Sequence, residues 1–371
     1  MNDPFVIGIS GSIGSGKSLI RHLLAMRGIM PLDADELTHF LLAKGKAGYQ
    51  QVVQVFGESY LDGSGNLDRA RLGMDVFRDP RSLQRLESIL HPLVSQIVRA
   101  ILQQTASPFV ALEAIKLYSS DLLQVCDARW FVTVTTAAQK ERLKRTRSMD
   151  EEAIHERLHQ QQFPKEMSVD HYIENSCHLN DAAKQIDIIW EEMKQETTGM
   201  GKVDEDPAAI LSIPILGVDA IEAVNPEIQR DLMKNLPVLP MMGDDTFLQR
   251  VILSRTFLSP CTNSHDFLMW QFDHFNTHVQ FLRTDMDHEN LQQGLERLEN
   301  QSVLWGGNCV VVKLDEYSIP FKHELLSMGY HIFSQGDITN YPFLMFSFRN
   351  KGKIGDHLVK ILPGGVWRLI P

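Results

Sequence analysis

The chain has 371 residues, 43% hydrophobic and 22% charged, with a formal net charge of −11. This length argues for two domains, and the acidic balance argues against nonspecific nucleic-acid binding, which relies on basic surfaces. No apolar run approaches the roughly 18 residues of a membrane span, the N-terminus lacks the basic region of a secretory signal, and the four cysteines have no paired spacing. We therefore expect a cytoplasmic protein with neither membrane nor nucleic acid as a partner.

The first motif follows an apolar run that begins at Phe5 and predicts a buried strand. Residues 11–18 read Gly-Ser-Ile-Gly-Ser-Gly-Lys-Ser, the pattern of a phosphate-binding P-loop between a strand and a helix. Glycines let backbone N–H groups turn inward around an anion, and the following helix presents its positive end to the same anion. Lys17 then reaches the outer phosphates, and the Ser18 hydroxyl can hold Mg²⁺. The sequence thus predicts ATP binding by Gly11, Gly14, Ser15, Gly16, Lys17, Ser18 and Leu19.

The next strand–helix–strand unit places carboxylates near this loop. A helix ending at Gly28 is followed by a predicted strand over Ile29–Leu32 and then by Asp33-Ala34-Asp35. The crossover is right-handed in nearly all such units, and ligands bind beyond the carboxyl ends of the strands, so Asp33 should point toward the phosphates. A carboxylate in this place can accept the proton of a substrate hydroxyl. Alternatively, Asp33 or Asp35 caps a helix over Glu36–Leu42.

Further elements follow in chain order. An apolar stripe between Leu67 and Ile101 predicts helix packing, with Pro92 expected to bend or restart the helix. Strands are predicted at Phe109–Leu112 and Trp130–Val134. The basic run from Lys140 to Arg147 is interpreted as a lid whose arginines bind phosphate, the alternative being a solvated helix face.

A second pattern, His155-Glu156-Arg157-Leu158-His159, matches that of zinc proteases. Catalytic zinc needs a third protein ligand and an open coordination position, and the sequence nearby offers no convincing third ligand. Polar neighbours on both sides favour an exposed helix. We therefore do not predict a metalloprotease.

An ordered series of short motifs resembles the dephospho-CoA kinase family over residues 5–190. The series comprises Ile-Gly-Ser-Gly-Lys-Ser at 13–18, Leu-Asp-Ala-Asp at 32–35, Gly48-Tyr49, Phe56-Gly57, Leu67-Asp68-Arg69, Leu72-Gly73, Val76-Phe77, Pro80 and His91-Pro92. The resemblance implies ATP- and Mg²⁺-dependent phosphorylation of the ribose 3′-hydroxyl of dephospho-CoA, on an α/β P-loop NTPase-type fold. That fold is a doubly wound parallel sheet with helical substrate and lid segments.

The resemblance also implies roles for single residues. Asp33 would be the general base, assisted by Lys17, Arg142 and Arg145. Asp35, Arg69 and His91 would lie at or near the acceptor pocket, and Asn175 near the nucleotide base.

Four positions depart from the family's pattern. Ser12 replaces a common glycine, Leu19 a threonine and Ser119 a glutamate, and Thr146 stands where a lid arginine is expected, one residue before Arg147. These departures leave two alternatives open. One is a catalytically weak nucleotide- or CoA-binding module that regulates the C-terminal domain, and the other is a P-loop kinase for another small hydroxyl metabolite.

The second half departs from the kinase pattern. We predict a kinase domain at 1–196, a linker at 197–208 and an α+β domain of unknown function at 209–371, with strands at Ile210–Leu216, Cys309–Leu314, Tyr330–Phe333 and Phe343–Phe348. A helix beginning at Ser318 and ending at Gly329 gives this half a faint resemblance to the N-acetyltransferase superfamily, but the glycine-rich pyrophosphate loop is missing. The segment around His274 and His278 is interpreted as a packed helix rather than a metal site.

Overall fold

The computed structural model describes residues 3–147, 149–161, 163–164, 166–176, 178–199, 214–234, 236, 246–260, 267–273, 276–281, 288–314, 318–332 and 357–363. These residues form two β-sheets with helices packed against them. None of the described helices combines the length and the apolar character needed to cross a bilayer.

The first sheet has five parallel strands in the order β2-β3-β1-β4-β5. They are β1 (Phe5–Gly11), β2 (Met30–Asp33), β3 (Phe109–Glu113), β4 (Ala128–Thr133) and β5 (His171–Glu174). The neighbouring inner strands β1 and β3 read as nearly unbroken apolar runs because helices cover both faces of the sheet. Glu113 pairs with Ile9 on one side and with Asp33 on the other, so the ends of β3 and β2 lie beside the start of the P-loop.

Within the described part of the chain, eight helices surround this sheet. They are α1 (Lys17–Ala25), α2 (Ala34–Leu41), α3 (Ala47–Phe56), α4 (Arg69–Arg78), α5 (Pro80–Gln104), α6 (Thr136–Arg147), α7 (Glu151–Gln160) and α8 (Leu179–Gly199). The doubly wound parallel sheet predicted from the sequence is confirmed. The first three residues of the predicted linker belong to α8, and the remainder lies outside the described residues.

The prediction that the helix restarts at Pro92 is wrong, because α5 is one helix from Pro80 to Gln104, and the alternative of a bend at Pro92 stays a prediction. Asp79 caps this helix by accepting bonds from the amides of Arg81 and Ser82. Proline removes one helical hydrogen bond. The long buried face of α5 contacts α2, α3 and α4, and this packing stabilises the helix beyond the proline.

Among the described residues, the second sheet has six strands in the order β10-β11-β9-β8-β7-β6. Its elements are α9 (Val218–Glu222), α10 (Pro226–Met233), α11 (Phe247–Leu253), β6 (Phe257–Pro260), β7 (Phe267–Asp273), β8 (Asn276–Phe281), α12 (His288–Leu304), β9 (Cys309–Lys313), α13 (Lys322–Ser327), β10 (His331–Ile332) and β11 (His357–Ile361). Neighbouring strands are antiparallel except β8 and β9, which are parallel and joined through α12. A second α+β unit is therefore present.

Several predictions for this half can be compared with the structure. The helix predicted around His278 is wrong: His278 lies in β8, where Thr277 and Val279 are buried and the backbone pairs with strands on both sides. His274 lies outside the described residues, as do Phe343–Phe348 and residues 210–213. The strand at Cys309 is confirmed as β9, and Gly329, with φ +88°, ends the turn after α13.

The two sheet units share one continuous apolar core, which runs from β1 and α1 to β6, β7 and α12. At the junction, α1 contacts α11, and the buried ring of His22 lies 4.6 Å from that of Phe257. Burial, followed by the nearby charges of Arg255 and Arg21, lowers the pKa of His22 to about 3, so the imidazole is neutral. The Leu216 amide also donates to the Leu258 carbonyl of β6.

Candidate active site

The P-loop lies between β1 and α1 and is closed by its own lysine. The Lys17 ammonium donates to the carbonyls of Gly11 and Ser12, both at 3.0 Å, and the residue is only 5% exposed. Helix α1 begins at Lys17, so its unpaired amides face the same loop. The predicted strand–loop–helix context is confirmed, and the local positive charge is held where a polyphosphate would lie.

Asn175, just beyond β5, fixes the shape of the loop. Its side-chain amide donates to the Ser15 carbonyl at 2.7 Å, and the residue is 3% exposed. The backbone of the loop lies close to this amide: a Cβ added to Gly16 would lie 2.1 Å from Asn175 Nδ2. Asn175, which the family resemblance placed near the nucleotide base, thus contacts the loop itself.

Gly16→Ala is expected to lower the free energy of unfolding and to weaken ATP binding. Gly16 has φ +94°, which costs an L-residue roughly 1–2 kcal/mol, and the new methyl group would displace Asn175. Calorimetric titration with ATP and thermal melting measure the two effects. Gly63→Ala is the matched control, since a Cβ there meets nothing within 4 Å. Unchanged ATP affinity in Gly16→Ala would contradict the proposed loop geometry.

The start of α6 packs on the P-loop. Gln139 donates its amide to Ser12 Oγ at 2.7 Å and to the Ile13 carbonyl at 2.6 Å, so the serine that departs from the family's pattern has a partner here. Leu143 forms a small apolar cluster with Ile13 and with Ile154 of α7. The predicted lid segment, α6 and α7, is thereby placed against the phosphate-binding loop.

The lid arginines differ in their placement. Arg142 is half-buried and donates to the Ser15 carbonyl at 3.5 Å, at the long end of hydrogen-bond distances. Burial lowers the pKa of Arg142 below its ordinary value, but a guanidinium stays charged at neutral pH. Arg145 lies one turn further along α6 and is also half-buried.

Asp33 is the N-terminal cap of α2, a role that the sequence analysis left open between Asp33 and Asp35. Its Oδ1 accepts from the amides of Asp35 and Glu36 at 2.9 and 3.2 Å, and its Oδ2 accepts from Arg21 at 3.0 Å. Because Asp33 caps the helix, α2 begins at Ala34, two residues earlier than predicted. Both carboxylate oxygens of Asp33 are therefore occupied by donors.

Asp35 has a different environment. Burial, followed by the negative charges of Asp33 and Glu113, raises the pKa of Asp35 to about 7, while the Lys17 ammonium acts in the opposite direction. A carboxylate whose pKa lies near neutrality is suited to exchanging a proton with a substrate. The helix cap and the candidate proton acceptor are thus two separate residues of the Asp-Ala-Asp motif.

Glu113 and Arg21 were missed as site residues in the sequence. The Ser18 hydroxyl donates to Glu113 Oε1 at 2.8 Å, and Arg21 Nε donates to Glu113 Oε2 at 2.8 Å. Glu113 is 5% exposed. The available signal was an acidic residue at the carboxyl end of a predicted strand, but only the sheet order reveals that this strand lies beside β1.

The remaining predicted residues lie apart from this centre. Arg69 is the first residue of α4 and is exposed, whereas His91 lies within α5 and is half-buried. Helix α5 packs against both α2 and α4, so Arg69 and His91 lie on helices that are connected to α2 by this packing. His155 and His159 are exposed on α7, and the described part of the chain contains no group of three potential metal ligands.

The first half of the chain is similar to known proteins of a single family. The family model for dephospho-CoA kinase matches residues 5–181. The dephospho-CoA kinase of Thermobifida fusca is 31% identical over 192 residues, covering 51% of this chain and 96% of the relative. That of Aquifex aeolicus is 34% identical over 194 residues, with 51% and 98% coverage.

Two solved structures are also similar. One, from Thermus thermophilus, is 28% identical, covers 51% of this chain and 97% of that chain, and has a TM-score of 0.45. The dephospho-CoA kinase of Campylobacter jejuni is 18% identical, with 52% and 98% coverage and a TM-score of 0.37. None of these matches supports the resemblance of the second half to the N-acetyltransferase superfamily.

Proposed function

Because the chain belongs to the dephospho-CoA kinase family, we propose that it transfers the γ-phosphoryl group of ATP to the ribose 3′-hydroxyl of dephospho-CoA. The observation that carries the proposal is the arrangement of side chains at one edge of the first sheet. There the P-loop, with Lys17 and Ser18, lies beside Asp35, a carboxyl whose pKa is raised to about 7. The product is coenzyme A.

In the proposed mechanism the P-loop amides and the start of α1 bind the phosphates of ATP. Lys17 now donates to two loop carbonyls, and it would redirect these hydrogen bonds to the outer phosphate oxygens. Arg142 and Arg145 would neutralise charge on the transferring group, since a guanidinium can bond two phosphate oxygens at once. Asn175 and Gln139 would hold the loop in shape.

The residues around Ser18 fit a Mg²⁺ ion, which prefers oxygen donors. A serine hydroxyl has one proton and two lone pairs, and Ser18 donates its hydroxyl hydrogen bond to Glu113, so the lone pairs stay available to a cation. The chemistry that a bound Mg²⁺ would supply here is the neutralisation of phosphate charge. We propose Ser18 as a ligand and Glu113 as the carboxylate that orients it.

We propose Asp35, rather than Asp33, as the group that accepts the proton of the attacking hydroxyl. Asp33 already accepts two backbone bonds and one from Arg21, and these bonds hold its carboxylate as a cap. The high pKa of Asp35 supports the transfer. Arg69 and His91 are proposed as acceptor-binding residues on the helical region next to α2.

The test is to incubate the full chain with MgATP and dephospho-CoA and to detect coenzyme A by mass spectrometry. Turnover is expected, and its loss on chelation of the metal is expected as well. ATP binding in a calorimeter without turnover would instead favour the regulatory module suggested by Leu19, Ser119 and Thr146. Turnover only with other alcohols would favour a kinase of a different metabolite.

For residues 209–371 the resemblance to N-acetyltransferases stays a prediction, and we propose no activity for them. The scattered cysteines, of which Cys126 and Cys309 are free thiols, support a cytoplasmic location. The acidic net charge supports small molecules rather than nucleic acid as partners.

A further inference from the structure

Arg21, on the second turn of α1, connects the groups at the phosphate end of the site. Its Nε donates to Glu113 Oε2 at 2.8 Å and its second terminal nitrogen to Asp33 Oδ2 at 3.0 Å. The other oxygen of Glu113, Oε1, accepts a hydrogen bond from the Ser18 hydroxyl, with 2.8 Å between the two oxygens. One guanidinium thus holds the end of β3 and the cap of α2 in fixed positions relative to α1.

Arg21 is buried among carboxylates whose negative charges it offsets. Arg21 is only 8% exposed, and four carboxylates, those of Asp33, Asp35, Glu36 and Glu113, surround this region. Without a buried cation these carboxylates would repel one another, and Glu113 would lose the bond that fixes one of its two oxygens. The hydroxyl of Ser18 would then lose its fixed acceptor.

The second sheet unit contributes to the same place. A crevice at the junction of the two units is lined by Arg21, Asp33 and Glu36 from the first unit and by Phe272 of β7 from the second. Arg255, on the turn before β6, lies 3.7 Å from Glu36. The second unit therefore forms one wall of the crevice beside Arg21, and interactions between charges are stronger where less water is present.

We propose that Arg21 is a positioning residue for the Mg²⁺–nucleotide end of the site, acting through Glu113 on the Ser18 hydroxyl. The second sheet unit supports it through Phe272, which forms a wall of the crevice beside Arg21 and limits the water there. This inference rests on the proposed kinase function. On this proposal the C-terminal half influences the reaction indirectly, through the surroundings of Arg21, and supplies no catalytic group.

The test compares Arg21→Met with Arg27→Met in the full chain. Arg27 follows the same helix and also forms an ion pair, but with Asp187 on α8, away from the P-loop. Calorimetry measures the affinity for ATP with Mg²⁺ and for ATP with EDTA, and a magnesium titration of turnover gives the metal requirement. Removing a group that orients a metal ligand typically costs about 10- to 100-fold in metal affinity or activity.

For Arg21→Met we expect a Mg²⁺ requirement raised by about 10- to 100-fold, weaker binding of MgATP and little change in metal-free ATP binding. Arg27→Met should leave all three unchanged. In a Glu113→Gln background, Arg21→Met should add almost nothing, because both changes break the same chain of hydrogen bonds. Arg21→Lys should restore part of the loss.

Equal losses of MgATP and metal-free ATP binding, or additive effects of the Arg21 and Glu113 changes, would overturn the proposal. If Arg21→Met fails to fold, Phe272→Ala decides, since it removes no charge: a raised Mg²⁺ requirement supports the proposal, and an unchanged one overturns it. Failure of the kinase function itself is distinct, because wild-type protein would then bind no MgATP or form no coenzyme A.

Discussion

Asp35→Asn is expected to lower the rate of coenzyme A formation by roughly 10²- to 10⁴-fold, the range typical of a lost general base. Binding of MgATP should change little, because Asp35 makes no hydrogen bond to the P-loop among the described contacts and the isosteric amide keeps its volume. Quenched-flow or coupled assays measure turnover, and calorimetry measures binding. The separation of the two readouts identifies a group that acts in the chemical step.

Turnover should also follow the ionisation of Asp35. The pKa of this carboxyl is raised to about 7, by burial first and by Asp33 and Glu113 next. In wild-type protein kcat/KM should therefore rise as the pH increases through about 7, where Asp35 loses its proton. The residual activity of Asp35→Asn should lack this rise. A profile that is flat between about pH 6 and pH 8 in the wild type would contradict the assignment.

The same substitution should stabilise the protein at alkaline pH. In the unfolded chain an aspartate ionises near pH 4, whereas folded Asp35 ionises near pH 7. The native state binds more protons between these values, so the contribution of Asp35 to the free energy of unfolding falls as the pH rises from about 4 to 7. Asp35→Asn should melt at a higher temperature than wild type at about pH 8, with a smaller difference at about pH 5.

Asp33→Asn is the matched comparison. Asparagine keeps a carbonyl oxygen that can cap α2 about as well as aspartate, but the change removes the charge that pairs with Arg21, so its main effect should be on stability. Its loss of turnover should be smaller than that of Asp35→Asn. The reverse order, with MgATP binding intact in both variants, would return the role of proton acceptor to Asp33.

Lys17→Met should be the most damaging change to the nucleotide site. It removes the buried ammonium that closes the P-loop, and the loss of one preorganised donor to a developing charge typically costs roughly 10²- to 10³-fold in turnover. Charge-assisted hydrogen bonds are worth about 1.5–3 kcal/mol, so ATP affinity should fall by at least about tenfold. Steady-state kinetics and calorimetry measure the two losses.

Lys313→Met is a suitable control for Lys17→Met. Lys313 ends β9 in the second sheet and is exposed, so its replacement changes the net charge by the same amount without touching the P-loop. Equal losses in the two variants would mean that overall charge, rather than the loop lysine, governs nucleotide binding.

The parts of the fold that could be predicted from sequence depend on neighbours in the chain. The P-loop, β1 and the turn at Gly28 follow from residues a few positions apart, and all are found as expected. The pairing of Ser18 with Glu113 joins residues 95 positions apart, so no local pattern signals it. The division of roles between Asp33 and Asp35 likewise depends on Arg21, whose side chain reaches both β2 and β3.

Two errors have a different origin. At Pro92 a strong local rule was outweighed by the packing of a 25-residue helix. At His278 the spacing of histidines and aromatics matched a helix, but hydrogen bonds to β7 and β9 select the extended backbone. In both places contacts that are distant in sequence decide the local conformation.

The apolar core that continues from the first sheet into the second has a consequence for how the protein comes apart. The buried rings of Phe257 and His22 lie 4.6 Å apart, and separating the two units would expose the apolar ring of Phe257 to water. Heating should therefore melt both sheets in one cooperative transition rather than two. A destabilising substitution in a strand of the second sheet would then lower the stability of the whole protein. Its effect would be a lower abundance of the enzyme rather than a change in its catalytic rate.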